Sequence, residues 1–228
     1  MSNNIVNNDV KIVINNLIEN VIRTSKWNTI FDGTSLLKNR EIIRWCYESY
    51  HNSNTEEKVW GNNMLNQYCG YTNSNLSQWT SKLGEAIVKE ALQMLGEKNI
   101  KEKESIRSST IGVYRVKTYQ PDLVTDDSIF EVKTRNWTTS GTAGEKILGV
   151  SKKYGELPYL TNKPLFVVCV AYQEYECREK FACGNIFEPL QCTPYTRDIL
   201  LCEKNHNIHI MPFTQLLEAL GYEYGCWD

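Results

Sequence analysis

Nothing in this chain is long and apolar enough to span a bilayer. The longest apolar run, Pro164 to Tyr172, falls far short of the roughly 20 residues a spanning helix needs. The opening MSNNIVNND lacks a basic region followed by an apolar one, so no targeting segment is read and a cytoplasmic location is the expectation. The eight cysteines (46, 69, 169, 177, 183, 192, 202 and 226) contain no Cys-x-x-Cys pair and are scattered along the chain. That scatter argues against a disulfide framework and favours buried thiols; a zinc site from Cys177, Cys183, Cys192 and Cys202, with His206 and His209 nearby, would have to form without paired ligands. A P-loop is missing too. GTAGEK has neither its spacing nor the Ser or Thr after the Lys, so nucleotide hydrolysis has no support and no nucleotide cofactor is expected. No internal repeat or long low-complexity linker divides the 228 residues, whose 41% hydrophobic content suits one domain with a helical extension.

The chain also lacks the positive excess usual in proteins that bind nucleic acid, with a formal net charge of −2. Its charge is unevenly distributed. From Lys98 to Lys153 eleven Lys or Arg stand against seven Asp or Glu, whereas from Glu174 to Asp228 four stand against nine. The middle of the chain is therefore the basic part.

That basic part contains the stretch on which a functional reading turns, QPDLVTDDSIFEVKTR at 120–135. PDLV and SIFEVK are two β-prone runs joined by polar residues, the grammar of a hairpin. A two-residue loop of Asp126 and Asp127 pairs Val124 with Ile129, Leu123 with Phe130, and Asp122 with Glu131. Alternation then puts Asp122, Glu131 and Lys133 on one face and Leu123, Phe130 and Val132 on the core face. Directly opposed residues have Cβ atoms about 4.5–5.5 Å apart, where like charges repel unless something bridges them. A divalent cation with oxygen ligands is the natural bridge. The plainer alternative is a solvated hairpin face with Lys133 as counter-ion.

Around the hairpin, residues 1–75 read as a helical layer. Val10, Val13, Ile14, Leu17, Val21 and Ile22 form one apolar stripe, Leu36, Leu37, Ile42, Ile43, Trp45 and Cys46 a second, and Val59, Trp60, Met64 and Leu65 a third. His51 lies in a polar stretch and reads as surface. Leu76 to Leu95 is the clearest helix, stopped by Gly96; Gly84 on its apolar face permits close approach to a sheet, and Glu85 at the edge of that face could either reach a site there or pair with Lys89. KNIKEKES reads as a charged connection and Thr110 to Thr118 as a strand ahead of the hairpin. A helix beginning near Thr142, with Ile147, Leu148 and Val150 for packing and Gly155 near its end, and a buried strand at Pro164 to Ala171 follow. The chain ends as helix, strand and helix at Thr196 to Glu203, Ile208 to Met211 and Phe213 to Leu220. The expected fold is therefore α/β of the α+β type: a mixed central sheet in αβββαβ order, flanked by helices, with 173–228 as a C-terminal unit.

Pro121-Asp122 and Glu131-Val132-Lys133, in that order of elements, resemble the PD-(D/E)-x-K nuclease superfamily, and the TRNWTTSGTAGEKILG segment looks most like a Type II restriction endonuclease. The resemblance covers residues 76–172. It implies a restriction-endonuclease-like core in which Asp122 and Glu131 hold Mg²⁺, with Mn²⁺ as a substitute, Lys133 orients or activates the attacking water, and Glu85 is the helix acid that assists the metal. It implies a homodimer acting on a palindromic site in double-stranded DNA within a restriction-modification system. Arg135, Asn136, Trp137, Thr138, Thr139, Ser140, Thr142 and Lys146, extended by Lys152, Lys153 and Tyr154, are the candidate DNA contacts. A junction resolvase, a mismatch or transposon-end nuclease, or a non-catalytic DNA-binding protein on the same fold are the alternatives.

Overall fold

The computed structural model describes residues 31–71, 77–108, 118–135, 147–179 and 184–227. In chain order its strands are Lys101–Glu102 (β1), Ile106–Arg107 (β2), Thr118–Tyr119 (β3), Leu123–Val124 (β4), Ile129–Arg135 (β5), Leu165–Ala171 (β6) and Ile208–Pro212 (β7). The α-helices are Arg40–Tyr47 (α1), Asn54–Cys69 (α2), Trp79–Met94 (α3), Val150–Tyr154 (α4), Leu157–Thr161 (α5), Tyr172–Glu179 (α6), Pro194–Asn205 (α7) and Thr214–Ala219 (α8). Strands β1, β4, β5, β6 and β7 form one sheet in that spatial order, antiparallel from β1 to β5 and parallel from β5 to β7. The architecture is mixed α/β, a five-stranded mixed sheet flanked by helices.

The switch from antiparallel to parallel follows from the connections. A tight turn joins β4 to β5, while the chain between β5 and β6 includes α4 and α5 and returns in the same direction. All seven residues of β6 are buried, as a strand covered on both faces requires, and its side chains alternate between two cores. Phe166, Val168 and Val170 join Leu123, Phe130 and Val132 beneath α3, whereas Leu165, Val167 and Cys169 join Ile129, Tyr154, Leu157, Cys177 and Leu200 on the opposite side.

Residues 31–71 are helical, as expected, and their second apolar stripe is buried throughout. Glu90 of α3 ties this layer down, its carboxylate accepting from the Leu36 and Leu37 N–H groups at 3.2 and 3.0 Å. Two expectations for this layer are corrected. Val59 is exposed, because Met64 and Leu65 fill the buried side of α2. His51 is buried, since its ring packs at a tilt against Tyr50 and Trp60 at centroid distances of 4.2 and 4.8 Å. The first stripe, Val10 to Ile22, lies outside the described residues.

Three strands of the sheet do precede the crossover, but the outermost is not the one expected. Lys101 and Glu102, from the stretch read as a connection, pair with Val124 and Leu123. Charged side chains suit an edge strand, which presents one side to solvent. Most of the expected Thr110 to Thr118 strand lies outside the described residues; its last residue, with Tyr119, pairs antiparallel with β2 in a separate two-stranded sheet.

Gly84 sets how closely α3 approaches β5. A Cβ there would lie 1.7 Å from Thr134 Oγ1 and 2.7 Å from Thr134 Cβ, a clash that no rotation of Thr134 removes. Helix propensity alone favours Ala over Gly by about 1 kcal/mol, while overpacking costs about 1–3 kcal/mol. Packing is expected to win, so Gly84→Ala lowers stability in urea denaturation; equal or greater stability would show that α3 has room to retreat.

Candidate active site

The hairpin adopts the predicted register. Leu123 pairs with Phe130 and Val124 with Ile129; the Thr125 N–H donates to the Ser128 carbonyl at 2.9 Å, and the Ser128 N–H to Thr125 Oγ1 at 3.0 Å. Asp126 and Asp127 are exposed at the turn, and Asp126 accepts from Asn99 Nδ2 at 2.7 Å. The ladder ends at Leu123; one step further from the turn Asp122 is near enough for its charge to act on Glu131, and its Oδ2 accepts from the Val132 N–H at 2.8 Å. Glu131 and Lys133, two apart on β5, share a face, and Lys133 Nζ donates to Glu131 Oε1 at 2.5 Å.

These acids are not on a solvated face. Asp122 is 8% exposed and Glu131 3%, because their side of the sheet is the side covered by α4. Glu131 Oε2 is buried and has no hydrogen-bond partner among the described residues. Burial raises the Glu131 pKa, and the neighbouring Asp122 charge raises it further, against the opposing effect of Lys133.

Glu85 arrives from α3, which packs on the other face, and reaches the cluster at the sheet's edge. Burial and then the Asp122 charge raise its pKa also. Its partner is not Lys89, which pairs with Glu102, but Lys103, whose Nζ lies 3.0 Å from Glu85 Oε1 and also donates to Asp122 Oδ1. The backbone of Lys103 is left-handed, with φ of 51°, and its N–H donates to the Asp122 carbonyl at 3.1 Å. Burial works against the Lys103 charge, but the hydrogen bonds and charges of Asp122 and Glu85 outweigh it and raise the pKa above the ordinary lysine range. Lys103 was missed by sequence reasoning. It sits among alternating Lys and Glu in KNIKEKES, and nothing there marks which lysine turns inward.

The expected DNA contacts divide. Asn136, Trp137, Thr138, Thr139, Ser140, Thr142 and Lys146 lie outside the described residues. Lys152 and Lys153 are exposed on α4, and the Lys153 charge favours ionised Glu131. Tyr154, by contrast, is 3% exposed, and its hydroxyl donates to the Gln120 carbonyl at 3.0 Å. Burial, then the charges of Glu131 and Asp122, push its pKa up to about 12. Arg135 is buried and ion-paired with Glu176, its guanidinium 5.8 Å from the Tyr172 ring. Arg135 and Tyr154 are thus engaged within the protein in this arrangement.

Among the described residues no group of three or more His, Cys, Asp or Glu side chains is arranged to hold a metal. The cysteines follow the buried-thiol expectation in part: Cys177 Sγ lies 3.8 Å from Cys169 Sγ, Cys192 Sγ donates to the Asn185 carbonyl at 3.1 Å, and Cys202 is exposed. Asp122 and Glu131 are the pair suited to a metal. A cation that keeps several waters takes only one or two carboxylates, and the partnerless Glu131 Oε2 is the oxygen such an ion would satisfy.

The charge penalty at Glu131 has a definite pH signature. Its folded pKa is raised, so the folded state keeps the proton longer than the unfolded chain; the stability this gives is full below the ordinary value of 4.5 and is lost as pH rises through the folded value. In chelator, Glu131→Gln is expected to be more stable than wild type at pH 8 and to differ little at pH 4, measured by urea denaturation. A gain of the same size at both pH values would remove ionisation as its cause. No family model, no curated protein and no solved structure matches this chain.

Proposed function

We propose that this chain is a divalent-metal-dependent endonuclease of the PD-(D/E)-x-K type, hydrolysing phosphodiester bonds in double-stranded DNA, with a Type II restriction enzyme as the specific form. The observation that carries the reading is the buried Asp122–Glu131 pair, Asp122 just before β4 and bonded to the β5 backbone at Val132, with one buried Glu131 oxygen lacking a partner among the described residues and Lys133 on the other. The order of α3, three sheet strands, a helical crossover and β6 supports a restriction-endonuclease-like core.

In this reading Asp122 and Glu131 would hold Mg²⁺, or Mn²⁺ in its place, and Glu85 would assist from α3. Bound there, the ion supplies a Lewis acid for a phosphoryl oxygen and a water made nucleophilic near neutral pH. The chain's own groups do the rest. The Val132 N–H fixes the Asp122 carboxylate, and Glu131 Oε1 fixes Lys133, whose ammonium orients the attacking water and offsets charge at the phosphate. Tyr154, held at the Gln120 carbonyl, keeps the charged face covered. Lys152 and Lys153 are exposed and suited to backbone phosphates. Sequence selectivity is assigned to residues 136–146, and a homodimer on a palindromic site supplies one active centre per strand.

Purified protein incubated with mapped plasmid is expected to yield fixed fragments with Mg²⁺ and none with chelator. Asp122→Ala, Glu131→Ala and Lys133→Ala should each reduce cleavage by roughly 10³-fold or more. Glu85→Ala should cost less, about 10–100-fold. Circular dichroism checks that each variant folds. Full Mg²⁺-dependent cutting by any of the first three would remove the assignment, and random nicking in place of fixed fragments would favour a repair or recombination nuclease.

A further inference from the structure

Lys103 stands between two carboxylates, Glu85 and Asp122, and it belongs to no part of the motif. Its ammonium bridges Glu85 and Asp122, and its own N–H anchors it to the Asp122 carbonyl. Asp122 Oδ2 is already taken by the Val132 N–H, so Oδ1, the oxygen that Lys103 holds, is the one through which Asp122 could meet a cation. We propose that Lys103 is a tethered counter-ion that occupies the Glu85–Asp122 side of the site in the metal-free protein and swings out when a divalent cation binds. The inference rests on the metal-site reading above.

Formal charge supports an exchange over coexistence. Glu85, Asp122 and Glu131 carry three negative charges against the two of Lys103 and Lys133. Adding a divalent ion to both lysines leaves this group of five side chains positive, while replacing Lys103 with it leaves the group neutral, and lysine and ion would compete for the same Asp122 oxygen. The path outward is open on the lysine's side: the Lys103 side chain is 49% exposed, against 27% for Lys133 and 4% for Glu131. Lys103 leaves one β-strand and precedes another, and its left-handed backbone sets the stem direction from the sheet's edge. When the lysine-engaged form is the dominant one, apparent metal affinity falls by the fraction of protein that is competent.

Two readouts independent of cleavage test this. Each lysine's reactivity toward a small acylating reagent is followed by mass spectrometry without metal and with saturating Mg²⁺, and Mn²⁺ affinity is measured by titration calorimetry for wild type and variants. Lys103→Asn removes the ammonium while tolerating the left-handed backbone; Lys101→Asn, which loses only a surface pair to Glu104 at 2.8 Å, controls for the general loss of a positive charge. Lys103 acylation is expected to rise several-fold on Mg²⁺ addition, and Lys103→Asn to bind Mn²⁺ about tenfold more tightly than Lys101→Asn. Unchanged Lys103 reactivity under saturating metal, or equal affinities of the two variants, overturns the proposal while leaving the metal site standing. Mn²⁺ binding by Asp122→Ala as tight as wild type would overturn the metal site itself, and this proposal with it.

Discussion

Two carboxylates forced together inside a sheet set the terms for much of this protein. The β4–β5 register leaves Asp122 and Glu131 facing one another, and burial denies them the water that would screen their repulsion. The surroundings compensate piece by piece. The Val132 N–H and two lysines meet three of the four oxygens, the Lys153 charge acts on Glu131 from α4, and a tyrosine held to the Gln120 carbonyl closes the side. One oxygen is left over. Burying charge with incomplete compensation is a poor way to stabilise a fold, so the Asp122–Glu131 pair works against the folded state rather than for it.

The rest of the fold makes that arrangement tolerable. Strand β5 is bounded by β4 and β6, so its backbone cannot relax away from the charges. Its alternate side chains, Phe130, Val132 and Thr134, meet α3, where Gly84 lets the helix axis come close. The same approach carries Glu85 to the sheet's edge. Helix position and acid position are thus coupled through one missing side chain. The N-terminal layer is tied to α3 through Glu90, five residues beyond Glu85 on the same helix, so the layer steadies the element that delivers an acid to the site.

Strong local signals made part of this legible in the sequence. A two-residue turn and strict alternation determine a hairpin register, and so Asp122, Glu131 and Lys133 could be placed on one face before any coordinates. The apolar run at 164–171 is unambiguous for a buried strand, and the terminal helix, strand and helix follow their periodicities. What could not be read depends on partners distant in sequence. Lys103 is one lysine in a charged stretch, and its left-handed backbone carries no glycine or asparagine to announce it. Arg135 follows the motif like a nucleic-acid contact, yet Glu176 on α6 claims it. His51 has polar neighbours in the chain and aromatic ones in space.

The bond from the Val132 N–H to Asp122 Oδ2 also bears on which ions the proposed metal site would tell apart. A carboxylate with one oxygen tied to the backbone cannot rotate to clasp an ion with both. It offers a single, pre-aimed donor whose rotamer entropy is already lost on folding. Large, loosely coordinated ions such as Ca²⁺ gain from two-oxygen contacts and many ligands, whereas small ions that keep their waters in an octahedron need only single oxygens at fixed angles. The ladder of the hairpin would then act as an ion-size filter, set by a main-chain amide that only a proline at 132 would delete.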